Sequence, residues 1–183
     1  MSARQGSAAI LLAAGLTGPA SGQPPAAPAR APVPAPPVCT TPEHRQLDFW
    51  VGRWDVFPTG TDRLVARSLI ERLYGGCVIR EHWMPLDGAG GGSLNSWVPA
   101  EGRWRQIWTD GRNGWRDYAG GMEDGAIVLT ATTAGPDGAA RLNRMRFTRE
   151  PGGAVRQVDT WSADGGRTWN AGFDYTYRPA REE

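Results

Sequence analysis

Leu47-Asp48-Phe49-Trp50-Val51-Gly52-Arg53-Trp54-Asp55-Val56 is the stretch from which the fold can be read. A short aromatic turn runs into Gly-x-Trp and then into an alternating strand. The glycine lets the chain bend sharply between the two. Trp54 is then expected to point inward and plug the closed end of a barrel, where its size excludes water. Gly-x-Trp alone is a weak signal in a chain with nine Trp and 25 Gly. Its weight comes from the rest of the chain, which runs hairpin after hairpin as far as Arg178.

Strand-forming runs recur downstream at 53–58, 63–73, 76–84, 92–98, 103–109, 114–119, 126–133, 139–148, 154–162 and 167–178, with no long helical period among them. Turn chemistry separates them, as in Gly75-Gly76, Gly135-Pro136-Asp137-Gly138 and Pro151-Gly152-Gly153. About ten hairpin-linked strands predict an all-β, antiparallel up-and-down barrel, because closure removes both exposed sheet edges. A single helical turn around Glu43 to Asp48 is expected to close one end.

The chain of 183 residues suffices for one such domain and a tail. Residues 1–22 read as a secretory signal: Arg4 supplies the positive start, Ala8 to Leu16 the apolar run, and Ala20-Ser21-Gly22 a small-residue cleavage site. A frayed tail on a cytosolic protein is the alternative. The apolar run is too short for a membrane span, so no membrane insertion is expected after cleavage. Residues 23–38 are almost entirely Pro and Ala, a semi-extended linker. The barrel domain is expected at 39–180, and the expected compartment is periplasmic or secreted. All 20 basic residues are Arg, and loss of Arg4 leaves 19 of them against 19 acids. That balance argues against nucleic acid or an anionic membrane as the main partner. The two cysteines, Cys39 before the fold and Cys77 within it, are expected to pair in an oxidising compartment. Two buried free thiols are the alternative.

One hairpin can be worked out residue by residue. Val98-Pro99-Ala100-Glu101-Gly102-Arg103 carries Pro and Gly where a tight turn uses them, so Val98 should pair with Arg103. Asn95 then faces Gln106, Trp97 faces Trp104, and Ser93 faces Trp108, all on one surface of the sheet. The opposite surface carries Arg103 and Arg105, which should be solvated. The tryptophan and amide surface is therefore the expected interior. Asn95, Trp97, Trp104, Gln106 and Trp108 are accordingly the candidate ligand-binding residues, since apolar walls with few polar groups line small-molecule pockets. The competing reading is a solid core in which these Trp fill the barrel and the two amides bond each other.

Other motifs carry less chemistry. Ser162-Ala163-Asp164-Gly165-Gly166-Arg167-Thr168-Trp169 matches the Asp-box pattern, whose physics is structural: Asp164 caps turn amides and Trp169 packs beneath the hairpin. A propeller would repeat the unit in most blades, and only one copy is found. Gly88-Ala89-Gly90-Gly91-Gly92-Ser93 lacks the lysine of a phosphate loop and reads as a flap at the barrel mouth. Glu81-His82 is the one tempting acid/base pair, but neighbours on a strand point to opposite faces, so at most one reaches a cavity. His44, on the leading turn, is expected at the surface. Two histidines so placed do not supply a three-ligand zinc site, although one could ligate a haem iron.

Gly52-x-Trp54 on the first strand and Arg178 on the last resemble the calycin (lipocalin-like) superfamily. That resemblance implies Trp54 and Arg178 as a structural pair, the guanidinium crossing the indole at the closed end. The chain is also similar to a family of secreted bacterial proteins grouped as a domain of unknown function. The likeness rests on Arg45-Gln46-Leu47-Asp48-Phe49-Trp50-Val51-Gly52-Arg53-Trp54-Asp55-Val56, on Ser93 to Pro99 with Trp104 to Trp108, and on the Asp-box segment. It spans about residues 39–178 and implies a fold but no substrate. A looser likeness is to the haem-binding nitrobindin group, but residues 139–178 contain no His for a proximal ligand. No cofactor is therefore expected.

These readings support a barrel that binds a small, partly apolar molecule. A cavity enzyme of isomerase, cyclase or hydrolase type, using Glu81 or His82 as base, is the alternative, as is a carbohydrate- or envelope-binding module with exposed Trp.

Overall fold

The computed structural model describes residues 39–181; the expected signal and linker segments lie outside them. Two 3₁₀ turns, Glu43–Arg45 and Asp48–Trp50, lead into ten strands. These are β1 (Gly52–Pro58), β2 (Ala66–Leu73), β3 (Val78–Pro85), β4 (Gly91–Val98), β5 (Arg103–Asp110), β6 (Trp115–Glu123), β7 (Ala126–Ala134), β8 (Ala140–Arg149), β9 (Val155–Ser162) and β10 (Asn170–Pro179). Each pairs antiparallel with its chain neighbours, and β1 pairs with β10, so the sheet closes into an up-and-down barrel. Every expected run finds its strand, with ends displaced by at most four residues.

The β4–β5 register is the one its turn residues imply: Val98 opposite Arg103, Trp97 opposite Trp104, Asn95 opposite Gln106 and Ser93 opposite Trp108. Ser93, Asn95, Trp104 and Gln106 are buried, whereas Leu94 is exposed. Burial alternates along the other strands too, as in Val155, Gln157 and Asp159 on β9. Outside, opposite charges meet across strands: Arg105 bonds Asp117 from β5 to β6, and Arg80 bonds Glu71 from β3 to β2. Exposed pairs of this kind contribute little stability individually.

The leading segment closes one end. Trp54 is buried and its Nε1 donates to the Trp50 carbonyl at 2.8 Å, which locks the aromatic turn onto the first strand. Trp50 is fully buried, tilted against Phe147 with ring centroids 4.8 Å apart. Trp104 Nε1 donates to Gln46 Oε1 at 3.0 Å, tying β5 to the same plug. A disulfide joins Cys39 to Cys77 and fastens the segment to the β2–β3 turn. The free-thiol alternative is therefore discarded.

Two expectations need correction. Arg178 does not cross Trp54. It lies opposite Asp55, whose neighbours Trp54 and Val56 point inward, so strand alternation turns it outward. There its guanidinium sits 4.3 Å over the Phe57 ring and donates to Asp62 at 2.7 Å. His44 is buried rather than superficial, its Nδ1 2.8 Å from Thr41 Oγ1. The Asp-box behaves as a hairpin clip: Asp164 Oδ1 accepts from the amides of Arg167 and Thr168 at 3.0 and 2.9 Å, and Trp169 lies beneath the Arg144 guanidinium.

Candidate functional site

Along its axis the barrel interior has two tiers and a polar belt between them. The tier over the plug is solid. Trp104 and Phe147, which touch the leading turns through Gln46 and Trp50, pack there with Ile70 and Ile79, all essentially excluded from solvent. At the other end the interior opens into a cavity of about 280 Å³. That lies at the small end for ligand sites and suits a molecule of one or two rings.

The belt is a chain of hydrogen bonds from β5 round to β8. Gln106 Nε2 donates to Asn95 Oδ1 at 2.7 Å, and Asn95 Nδ2 donates to the Ile79 carbonyl and to Ser93 Oγ, both at 3.0 Å. Ser93 and Ser68 donate to the two oxygens of Glu81 at 3.2 and 3.3 Å. The Tyr177 hydroxyl lies 3.4 Å from Glu81 and donates more closely to Gln157 Oε1, at 2.5 Å. Burial raises the Glu81 carboxyl to about 7, with the Ser93, Ser68 and Tyr177 hydrogen bonds opposing the shift. Burial also pushes the Tyr177 hydroxyl up, and the adjacent Glu81 charge adds to the effect.

Above the belt the walls are aromatic. Phe173 and Tyr175 stack at 5.0 Å, and Trp83 on β3 stacks on Tyr175 at 5.8 Å. Trp108 and Tyr118 contribute from β5 and β6. Polar groups on this lining are Glu81, Asp110, Arg116, Gln157 and Asp159. Burial raises Asp159 to about 6, against an opposing pull from Arg116. Tyr118 is pushed up to about 12 by burial and by the nearby Asp159 charge. Asp110 goes the other way. It accepts from the amides of Gly114 and Arg112 at 2.9 Å each, and from Trp108 Nε1 at 3.2 Å, and these donors hold its carboxyl below the usual range. Asp110 therefore both ties the β5–β6 loop and orients the Trp108 indole.

Two glycines make room for these side chains. A Cβ on Gly91 would stand 2.8 Å from the Trp108 ring, and one on Gly172 would stand 2.3 Å from the Asp159 carboxylate. Gly172 lies where the β9–β10 register shifts between Ala171 and Asp174, so a bulge and a missing side chain together admit Asp159.

Of the five candidate ligand residues, only Trp108 lines the cavity. Asn95 and Gln106 bond each other within the belt, and Trp104 packs with Trp97 at 6.5 Å in the solid tier. The solid-core reading thus describes that part of the hairpin, and the cavity reading describes its open end. Glu81 faces the interior, whereas His82 is exposed on the outer surface. Neither histidine reaches the cavity lining. The flap residues lie at the mouth, where Gly111 N donates to the Gly90 carbonyl at 2.9 Å and joins two rim loops.

Asp110, Arg116, Tyr118, Asp159, Phe173 and Tyr175 were not singled out as site residues by sequence reasoning. Period-two spacing of Ile79, Glu81 and Trp83 is a signal that places Glu81 inward with its apolar neighbours. Among the described residues no cluster of three or more His, Cys, Asp or Glu is placed to hold a metal, and no helix is long and apolar enough to cross a membrane. The chain matches no protein-family model and no curated protein sequence.

Proposed function

We propose that this protein is a secreted or periplasmic barrel that binds one small, partly apolar molecule in the cavity above the polar belt. The carrying observation is that aromatic rings and a few convergent polar groups gather at one open end, while the other end is packed solid. Large apolar surface with sparse polar groups is how small ligands are held and oriented. Trp83, Trp108, Phe173 and Tyr175 supply the contact area, and the carboxyls of Glu81 and Asp159 supply orientation. The Cys39–Cys77 bridge fits an oxidising compartment and supports the secretory reading of residues 1–22. The calycin-like and domain-of-unknown-function resemblances fit this role without naming a ligand.

Native mass spectrometry of the protein purified from its own host tests the reading. An extra mass that is released on unfolding, and that Trp108→Ala loses, is expected. A bare mass together with no binding of any small aromatic probe would overturn it.

A second reading has a specific observation behind it. Glu81 faces inward, is buried, and titrates at about 7, the range of a general acid or base. A cavity enzyme using it would lose turnover in Glu81→Gln while retaining ligand binding, and unchanged turnover would remove the idea. The carbohydrate-binding alternative has only Trp115 to offer, the one tryptophan of nine that is exposed.

A further inference from the structure

The cavity has a chemical polarity that an ordinary apolar pocket lacks. Three of its lining residues are carboxylic acids, Glu81, Asp110 and Asp159, against one base, Arg116. Asp110 is occupied with the rim-loop amides and the Trp108 indole, and Glu81 is bonded within the belt. Asp159 differs from both. It is 9% exposed, and its Oδ1 has no hydrogen-bond partner among the described residues. Buried polar atoms in native proteins are nearly always paired, so a buried carboxyl oxygen left unpaired on a residue that lines the cavity points to a donor brought by a ligand. Bulge and glycine on β10 have kept space for this carboxyl, where a Cβ at Gly172 would collide with it.

Aromatic rings around that carboxyl narrow the donor's chemistry. Tyr118, Trp83, Trp108 and the stacked pair Phe173–Tyr175 share the cavity with it. The negative face of an aromatic ring attracts an organic cation, and desolvation strengthens that attraction. We propose that the cavity takes a small arylalkyl amine, its ring among Trp83, Trp108 and Tyr175 and its ammonium donating to Asp159. This inference rests on the cavity-binding reading above and adds the ligand's charge class.

Asp159 is faced by Arg116 and Tyr118 from β6, Met145 from β8, Phe173 and Tyr175 from β10 and, within the same cavity, Glu81 and Asp110. Arg116 makes no ion pair with Asp159 within 4 Å and opposes a bound cation only at longer range. Burial raises both Asp159 and Glu81, so each is more fully ionised as pH rises through about 6 and about 7. Amine affinity is therefore expected to increase from pH 5 to pH 8, because both cavity carboxyls gain negative charge over that range.

Calorimetric titration with three matched probes tests the charge class: tryptamine, tryptophol and indole-3-propionate, which share a ring system and differ in the terminal group. Tryptamine is expected to bind at least tenfold more tightly than tryptophol at pH 8, with the propionate weakest. Asp159→Asn should abolish the tryptamine advantage, bringing tryptamine affinity to that of tryptophol in the same variant. Arg116→Gln should strengthen tryptamine binding a few-fold, a second variant that does not touch the carboxyl. Equal affinity for tryptamine and tryptophol, or preference for the propionate, would overturn the amine assignment and leave the cavity reading standing. A tryptamine advantage that survives in Asp159→Asn would overturn the role given to Asp159. Absence of binding by all three would count against both readings.

Discussion

Glu81 is an acidic residue built into a barrel wall, and its surroundings determine how it behaves. Two serines and a tyrosine hydroxyl face its oxygens, none of them a charge, so hydrogen bonds only partly offset the loss of water. Folding holds its proton up to about 7, while the unfolded chain releases it above 4.5. Stability from this group is therefore complete below pH 4.5 and declines as pH rises to about 7, by about 3 kcal/mol. Urea unfolding at a series of pH values should record that decline in the native protein and a flatter profile in Glu81→Gln. Equal slopes in the two proteins would mean that Glu81 is ionised inside the barrel. Gly172 invites a second test. A methyl there would stand 2.3 Å from the Asp159 carboxylate, and crowding of this kind costs about 1–3 kcal/mol. Gly172→Ala should lower the denaturation midpoint and weaken ligand binding together, and a binding constant unmoved by the substitution would separate Asp159 from the ligand.

Hairpins and their clips were the part of the structure most open to reading from residues. Pro99 and Gly102 fix the β4–β5 turn, and period-two alternation then fixes which residues of that hairpin face inward. How deep each residue lies along the barrel axis was not legible. Depth depends on which residues of distant strands share a level, and Glu81 and Tyr177 meet across 96 positions of sequence. Trp97 and Trp108 have the same inward parity, yet one falls in the solid tier and the other in the cavity. The bulge on β10, which brings Asp159 into place, leaves no pattern that alternation alone can detect. Arg178 failed for a related reason, since a family likeness supplied its partner while strand parity supplied its direction. At this level the disulfide has its own test. Cys39 and Cys77 close a loop with a separation of 38 residues, and loss of such a bridge costs about 2–4 kcal/mol. Cys39→Ser with Cys77→Ser should lower the thermal midpoint clearly while preserving the far-ultraviolet strand spectrum. An unchanged midpoint would mean that the leading segment holds its place by the Trp50 and Trp54 contacts alone.

The molecule as a whole divides its interior between stability and recognition. Trp50, Trp104 and Phe147 fill the plugged tier with large, dry side chains, and truncating one of them to Ala costs about 3–5 kcal/mol. The belt of amides, serines and Glu81 ends that packing with a run of hydrogen-bonded polar side chains, and the aromatic cavity begins above it. Because tryptophans stand in both tiers, indole resonances report on each separately. The direct measurement is a proton–nitrogen correlation spectrum of the labelled protein, with the nine indole N–H signals assigned, during titration with tryptamine. Signals of Trp83 and Trp108 should shift progressively while those of Trp50, Trp54 and Trp104 stay fixed. Movement of Trp104 and Trp97 with Trp83 and Trp108 stationary would contradict the two-tier division and return the site to the lower half of the β4–β5 hairpin.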